Sequence, residues 1–375
     1  MLHVAACLPL YVYPFLTMQH AGGTHMHATN TTRATRTALA MLATPPLCRH
    51  RPIGSNSLRL SPPPLLRRGY VAGRRGSRRA ASSTAASAAT AMGRGGSRCR
   101  EAAVARMPRL AHREVMLALA KEAEARLGAR LLPSQVPADV AEFGDAAAGA
   151  LGSVDVRRGA PGSSIDFMLE AWFHRALPGG GAAIDITSLI VFLNGATDAP
   201  HFLLELIQGG PASLVILLDL FPRRDLPLHP GYIDRYYGAT GVDAHRERLA
   251  RVPQVRPYVS PSLLVRSLWS PTAVVADVQC GEGEAGAAAL EGIVRGPVAS
   301  SAAAVLDVWL ERCAAGGAAV EEMAAAERER LVARDRMIAT TSVELNLSAN
   351  LPKMFDADVS GRVVAEIAKA FSGSS

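Results

Sequence analysis

Apolar residues at alternate positions mark four strands in the middle of the chain. They are SIDFMLEAWFH (164–174), AIDITSLIVFLN (183–194), HFLLELIQ (201–208) and SLVILLDLF (213–221). The links between them, such as RALPGGGA and GATDAP, are short and rich in turn-forming residues. A parallel crossover needs about a dozen residues or more, so these links predict an antiparallel meander. A further strand is predicted at Thr272–Val278.

Helical periodicity precedes and follows these strands. Residues 109–128 have the pattern of an amphipathic helix, with Leu119 and Leu127 among its apolar positions. The same spacing returns at Val305 and Trp309, and the chain closes on the amphipathic stretch VSGRVVAEIAKAF. Helices on both sides of one sheet predict an α/β fold, a three-layer α/β/α sandwich with a central, mainly antiparallel sheet.

One acidic residue interrupts the apolar pattern of the third strand. Glu205 shares a face of that strand with Leu203 and Ile207. Burying an unpaired carboxylate is costly, so Glu205 either has a dedicated hydrogen-bond partner or faces a cavity. Apolar surroundings raise the pKa of a carboxyl group and suit it to proton donation. Glu205 is therefore the first candidate catalytic residue.

The first hundred residues differ in composition from the rest of the chain. They contain fourteen arginines, no lysine and no acidic residue, and the first acid is Glu101. A basic, acid-free leader rich in hydroxyl groups is typical of an organelle transit peptide. We therefore predict a chloroplast transit peptide and disordered leader at residues 1–104, and a single domain at residues 105–375.

The leader also determines the sign of the net charge. The chain has 40 basic and 33 acidic residues; without the fourteen leader arginines, 26 basic residues remain against 33 acidic ones. The basic balance of the whole chain therefore does not indicate nucleic-acid binding. Residues 105–375 contain no run of about eighteen apolar residues, which predicts that they have no transmembrane segment.

Motifs for common cofactors are missing from residues 105–375. There is no P-loop, and the glycines of LPGGGAAID precede a strand, whereas those of a dinucleotide fingerprint follow one. Cys280, Cys313 and the five histidines of this region lack the spacing of metal ligands. We therefore expect an enzyme with this sequence to work without a bound organic cofactor or metal.

Several longer stretches resemble red chlorophyll catabolite reductase of plants. In chain order, over about residues 160–375, they are GSSIDFMLEAWFH, DITSLIVFLN, APHFLLELIQ, LVILLDLFPRRDL, RPYVSPSLLVRSLWSPTA, VLDVWLERC and LPKMF. The resemblance implies a fold related to the ferredoxin-dependent bilin reductases. It implies reduction of a methine-bridge double bond of red chlorophyll catabolite, an open-chain tetrapyrrole, to primary fluorescent chlorophyll catabolite. Reduced ferredoxin would be the electron donor, with no flavin or metal bound to the enzyme.

The same resemblance implies where the protein works and with which partners. It implies a chloroplast protein of chlorophyll breakdown, in the stroma or associated with thylakoids. The expected partners are ferredoxin, the ring-opening chlorophyll catabolite oxygenase and a second copy of the chain. A non-catalytic tetrapyrrole-binding or carrier protein is the alternative, and a bilin reductase of different regiochemistry is a second one.

The resemblance also assigns the pigment pocket. Glu205 matches a residue that contacts the substrate and assists its protonation. Tyr258, Val259 and Ser260, in PYVSPS, match residues that line the pocket, and Trp269 lies near a position that influences the product stereoisomer.

The second acidic position of the family aligns with Asn346 in SVELNLSANLPKMF. Asparagine has no carboxyl proton to donate and can only form hydrogen bonds. Two interpretations stay open: Asn346 orients the pigment while Glu205 supplies protons, or Glu344 takes the acidic role.

Docking of an acidic ferredoxin needs a local basic surface. The densest basic group after the leader is the expected docking surface, and its members are Arg223, Arg224, Arg246, Arg248, Arg251 and Arg256.

Overall fold

The described residues form one sheet of eight strands. The structure is a computed structural model that describes residues 100–177, 182–314 and 323–372, except for the side chains of residues 344–346. The strand order is β1-β2-β3-β4-β5-β6-β8-β7, and every neighbouring pair is antiparallel. The strands are Phe143–Asp145 (β1), Ala150–Arg158 (β2), Ile165–Ala176 (β3), Ala183–Leu193 (β4), His201–Gly210 (β5), Ser213–Phe221 (β6), Val255–Pro257 (β7) and Val274–Gln279 (β8).

Ten α-helices lie within the described residues from position 111 onward. They are Ala111–Leu127 (α1), Ala138–Ala141 (α2), Pro230–Ile233 (α3), Asp243–Ala250 (α4), Leu263–Leu268 (α5), Gly283–Ile293 (α6), Ala299–Trp309 (α7), Ala325–Thr340 (α8), Ser348–Met354 (α9) and Ala357–Ser372 (α10). Short turns of other helix types join several of them, including the π-helical turn Thr341–Leu347 between α8 and α9.

Two hydrophobic cores lie on opposite faces of the sheet. Helices α1, α3, α4, α6 and α7 contribute to the core on one face, which we call the α1 face. Helices α2, α5, α8, α9 and α10 contribute to the other, the α10 face. Alternation along β5 places Leu204 in the first core and Leu203 in the second. The predicted three-layer α/β/α sandwich with a mainly antiparallel sheet is confirmed.

The described fold begins inside the segment predicted as leader. Residues 100–106 are helical, and the side chain of Arg100 is buried. Its Nη1 donates to both carboxylate oxygens of Glu170 on β3, at 2.9 and 2.8 Å, and to Glu124 on α1 at 2.9 Å. Arg100, which lies in the segment predicted as leader, therefore contacts the folded domain, and the boundary predicted between residues 104 and 105 stays a prediction. Residues 1–99 lie outside the described residues, so the transit peptide stays a prediction.

The same contacts explain a group of three neighbouring carboxylates on the α1 face. Oxygen atoms of Glu124, Asp155 and Glu170 lie within 4.8 Å of one another. Arg157 bonds to Asp155 at 3.0 Å and approaches Glu124 at 2.8 Å, while Arg100 joins Glu124 to Glu170. Arginines thus occupy the positions that a metal ion would take, and the group is an ion-pair network.

One helical stretch among the described residues, Gly283–Ala314, is long and apolar enough to cross a membrane by length and composition. Its apolar side, including Val305, Leu306 and Trp309, packs into the core of the α1 face. The indole Nε1 of Trp309 also donates to the carbonyl of Pro200 at 2.9 Å. Packing against the sheet accounts for the apolar composition of this stretch.

Candidate functional site

The strand register places Glu205 in a row of residues that crosses the α10 face. Glu205 lies opposite Ser188 on β4 and Leu217 on β6, and Leu217 lies opposite Val275 on β8. The backbone N–H of Tyr258, directly after β7, donates to the carbonyl of Val275 at 2.9 Å. Glu205 and Tyr258 therefore lie at the same level along the strand direction, although they are distant in the sequence.

Glu205 combines an apolar setting with partial exposure. Leu203 and Ile207 on either side of it are buried, whereas Glu205 itself stays partly exposed. Burial raises the pKa of Glu205 to about 7, and a hydrogen bond from Ser188 Oγ to Oε1 at 3.0 Å opposes that rise. A carboxyl group with a pKa near 7 can both hold and release a proton at neutral pH. The structure thus gives Glu205 a dedicated partner and also an accessible side.

The other predicted pocket residues lie on the segment that connects β7 to β8. Tyr258 and Trp269 pack, partly buried, against the core of the α10 face. Ser260 is buried, and its Oγ accepts a hydrogen bond from the Ser262 N–H at 3.3 Å, which holds the turn. Val259 is 63% exposed. The fold therefore brings Tyr258 and Trp269 to the face of Glu205, while Val259 lies open to solvent.

Trp269 forms an aromatic wall on this face. Its ring stacks on Phe221, at the end of β6, with 5.0 Å between the ring centroids and 15° between the planes. The Nε1 atom of Trp269 is buried and has no hydrogen-bond partner among the described residues. A buried donor without a partner is costly, so this N–H is suited to an acceptor oxygen of a ligand.

Asn346 belongs to the π-helical turn Thr341–Leu347. Leu347 and Leu351, which follow it, pack against the core of the α10 face, so the backbone of this turn lies on the same side of the sheet as Glu205. The side chains of Glu344 and Asn346 lie outside the described residues, and their roles stay predictions. Turns of π-helix frequently occur at functional sites.

A second buried carboxyl group, that of Asp219 on β6, was not predicted from the sequence. Asp219 lies opposite Leu203 and is therefore a diagonal neighbour of Glu205 on the same face. It accepts a hydrogen bond from the Ser270 N–H at 2.9 Å and another from Ser270 Oγ. Burial raises the pKa of Asp219 to about 7, against these hydrogen bonds. The signal was present, because Asp219 interrupts the apolar run SLVILLDLF as Glu205 interrupts its own strand.

Arg223 was predicted to belong to an exposed ferredoxin-docking surface, and this prediction is wrong. This guanidinium is buried, and it donates to Asp335 through Nε at 3.1 Å and through Nη2 at 2.6 Å. Asp335 also bonds to Nε2 of the buried His201 at 3.0 Å. Arg224 is paired with Asp198 at 2.7 Å. The segment after β6 packs against the domain, so the Arg223 side chain lies inside and pairs with Asp335 on α8.

A cavity of about 1140 Å³ lies between the sheet and helices α8 and α10. Phe192 and Phe371 contribute aromatic rings to its wall, and Arg158, Arg328 and Arg336 contribute charge. Among the predicted pocket residues with described side chains, Glu205, Tyr258, Val259, Ser260 and Trp269 do not line this cavity.

The chain matches the family described as red chlorophyll catabolite reductase (RCC reductase) over residues 111–369. Over 267 residues it is 57% identical to red chlorophyll catabolite reductase 1, chloroplastic, of Oryza sativa subsp. japonica. This alignment covers 71% of this chain and 79% of that protein. Over 259 residues it is 41% identical to red chlorophyll catabolite reductase, chloroplastic, of Arabidopsis thaliana, with 69% and 80% covered.

Among solved structures, phytochromobilin synthase from tomato, in complex with biliverdin, superimposes with a TM-score of 0.51. The superposition covers 70% of this chain and 85% of that chain, at 12% sequence identity. At this identity the superposition shows that the two chains share a common fold. The family match and the degree of identity to the plant proteins together show that this chain belongs to the red chlorophyll catabolite reductase family.

Proposed function

We propose that this protein reduces one methine-bridge double bond of red chlorophyll catabolite to give primary fluorescent chlorophyll catabolite. The observation that carries the proposal is Glu205, a partly exposed carboxyl group with a pKa raised to about 7, in a chain of this family. Tyr258 and Trp269 supply aromatic surface on the same face for a flat tetrapyrrole. The names of the relatives from rice and Arabidopsis support this choice of substrate.

Reduced ferredoxin is the proposed electron donor, and no flavin or metal is part of the proposal. Saturating one carbon–carbon double bond takes two electrons and two protons. Ferredoxin delivers the electrons singly, so the protein has to hold the pigment through two transfers and protonate chosen carbon atoms. Glu205 donates a proton to the pigment and regains one from solvent through its exposed side.

The remaining groups bind and orient the pigment. The Trp269 N–H donates to a carbonyl oxygen of the tetrapyrrole, which would satisfy a donor that is otherwise buried without a partner. Asn346 orients a polar edge of the pigment by hydrogen bonding, with Glu344 as the alternative proton source. In either case Glu205 is the residue whose loss should be most costly.

We further propose that the protein works in the chloroplast stroma as a homodimer. It takes its substrate from the ring-opening chlorophyll catabolite oxygenase. The acid-free leader and the chloroplastic names of the relatives support the compartment.

The first test is an anaerobic assay of the full chain with red chlorophyll catabolite, a ferredoxin-reducing system and no added flavin. We expect a blue-fluorescent product. Pigment that binds without being reduced would contradict the proposal and favour the carrier. A product with another absorption spectrum would indicate a bilin reductase of different regiochemistry.

Loss of the Asp219 carboxylate is expected to weaken pigment binding. Asp219 holds Ser270, and Ser270 follows Trp269, whose ring rests on Phe221 of the same strand. In Asp219→Asn, the amide cannot accept both hydrogen bonds from Ser270 as the carboxylate does, which costs about 1–3 kcal/mol of stability. We expect the Kd for the pigment, measured by absorbance titration, to rise at least about threefold as the wall loosens.

Ser270→Ala is the matched control, because it removes the hydroxyl donor and leaves the backbone N–H bond to Asp219 in place. It should produce a smaller effect in both the pigment titration and thermal unfolding. Asp219→Asn with a lower melting temperature and unchanged pigment affinity would make Asp219 a purely structural residue.

A further inference from the structure

The segment that carries Tyr258 and Trp269 has an outer side that the described residues leave open. Val259, Leu263 and Leu264 are 63%, 75% and 38% exposed. Six large apolar side chains are exposed among the described residues, and these three lie within six positions. Single exposed apolar residues are ordinary, but a concentration of them marks an interaction surface.

Helix α5 has an inner and an outer side in this segment. Leu268 is buried in the core of the α10 face and fixes the inner side. Leu263 and Arg266 are one turn apart and lie away from Leu268 around the helix. Ser262 caps the helix, because its Oγ accepts a hydrogen bond from the Val265 N–H at 3.3 Å. The outer side is therefore presented by an anchored helix.

Two arginines flank the apolar side chains. Arg256 and Arg266 are both exposed, and neither forms an ion pair with a carboxylate among the described residues. Arg256 donates to the backbone carbonyls of Pro253 and Val255, and its nearest acidic neighbour in the sheet is Asp277, opposite it on β8. Arg246 and Arg251, by contrast, are paired with Asp243 and Glu247 on their own helix. The surface thus combines an apolar centre with two exposed arginines that form no direct ion pair among the described residues.

This surface lies close enough to the proposed pigment site for an electron donor bound there to reach the pigment. Its inner side carries Tyr258 and Trp269, which pack on the sheet face of Glu205. A carrier bound to the outer side would be separated from the pigment by this one segment. An apolar centre with a polar rim is the usual anatomy of a protein interface, and charge complementarity raises the association rate.

We propose that this surface docks an acidic one-electron carrier protein, ferredoxin. We call it the docking patch, and it comprises Arg256, Val259, Leu263 and Arg266, while Leu264, one turn before the buried Leu268, lies at its border. The proposal rests on the proposed function and adds the place where the donor binds. It keeps Arg256 from the basic group found in the sequence and replaces the buried Arg223 by Arg266.

The test compares charge-reversed variants of the full chain. In the double variant Arg256→Glu/Arg266→Glu, the KM for ferredoxin at saturating pigment should rise about tenfold, and added salt should slow turnover less than in the unmodified protein. The pigment Kd should not change. Arg109→Glu is the matched control, because Arg109 is also exposed but precedes α1, which covers the opposite face. It should leave the KM for ferredoxin unchanged.

Leu263→Ser tests the apolar centre without changing charge and should also raise the KM for ferredoxin. A titration of ferredoxin in the absence of pigment separates this proposal from the proposed function, because it measures docking even if no pigment is reduced. Three results would overturn the proposal: an unchanged ferredoxin affinity in the double variant, an equal loss in Arg109→Glu, or a loss of self-association alone.

Discussion

Replacement of Glu205 by glutamine is expected to slow pigment reduction at least about tenfold, the low end of general-acid effects. Glutamine has nearly the same shape and can still accept a hydrogen bond from Ser188, but it has no acidic proton. The fold and pigment binding should therefore persist. The measurement is turnover with reduced ferredoxin, together with a pigment titration and circular dichroism of the same preparation.

The pH dependence of turnover should identify the same group. Burial raises the pKa of Glu205 to about 7, so the proton-donating form predominates below that pH and is lost above it. The rate should accordingly fall as the pH rises through about 7, and Glu205→Gln should lack this limb. Turnover of Glu205→Gln at the rate of the unmodified protein would remove Glu205 from the mechanism.

Ser188→Ala is a sharper control, because it leaves the carboxyl group in place. The hydrogen bond from Ser188 stabilises the carboxylate and thereby lowers the pKa of Glu205. Without it the pKa rises further, and the falling limb of the pH profile should move to higher pH while the rate at low pH changes little. An unmoved limb would assign that limb to another group.

The stability of Glu205→Gln should respond to pH as well. The pKa of Glu205 is higher in the folded protein than its ordinary value of 4.5, so the folded state holds this proton more tightly than the unfolded state does. Ionisation of Glu205 therefore costs folding stability as the pH rises from the ordinary value towards 7. Glutamine does not ionise and avoids that cost, and the variant should be at least as stable as the unmodified protein in alkali.

Local patterns predicted the centre of the fold because the central strands obey one simple rule. Strands β3 to β6 follow one another through short links, so period-two alternation and turn residues determine their order. The same rule found Glu205, since a lone acid in an apolar strand is conspicuous. It applies equally to Asp219, which interrupts the apolar run of β6.

The parts that were missed depend on contacts between distant segments. Strand β2 contains Arg157, and nothing local indicates that Arg157 pairs with Glu124, which lies on α1. Arg223 looked like an exposed charge because its partner, Asp335, follows more than a hundred positions later. A buried ion pair has no local periodicity, so its members resemble surface residues in the sequence.

Arg100, at the start of the domain, is another buried member of an ion pair that resembles a surface residue in the sequence. Its replacement should strongly lower the free energy of unfolding. Its side chain and that of Glu170 are 1% and 2% exposed, with 2.8 Å between Nη1 and Oε2. Arg100→Ala should lower the free energy of unfolding by about 3–5 kcal/mol, because a buried carboxylate loses its main cation. Arg106→Ala should cost less than about 1 kcal/mol, since Arg106 pairs with Glu142 at the surface. Urea unfolding of both variants measures the contrast.

Two further comparisons distinguish a lost charge partner from lost packing. Burial raises the pKa of Glu170 and Arg100 opposes that rise, so the loss of stability in Arg100→Ala should grow as the pH increases and Glu170 is forced to ionise. Combining Arg100→Met with Glu170→Leu removes both charges and should recover part of the stability.

If Arg100 matters in this way, a chain beginning at residue 105 lacks the cation that Glu170 requires. We therefore expect the N-terminus of the processed protein to lie before Arg100, and a stable, fully active chain starting at residue 105 would contradict this account.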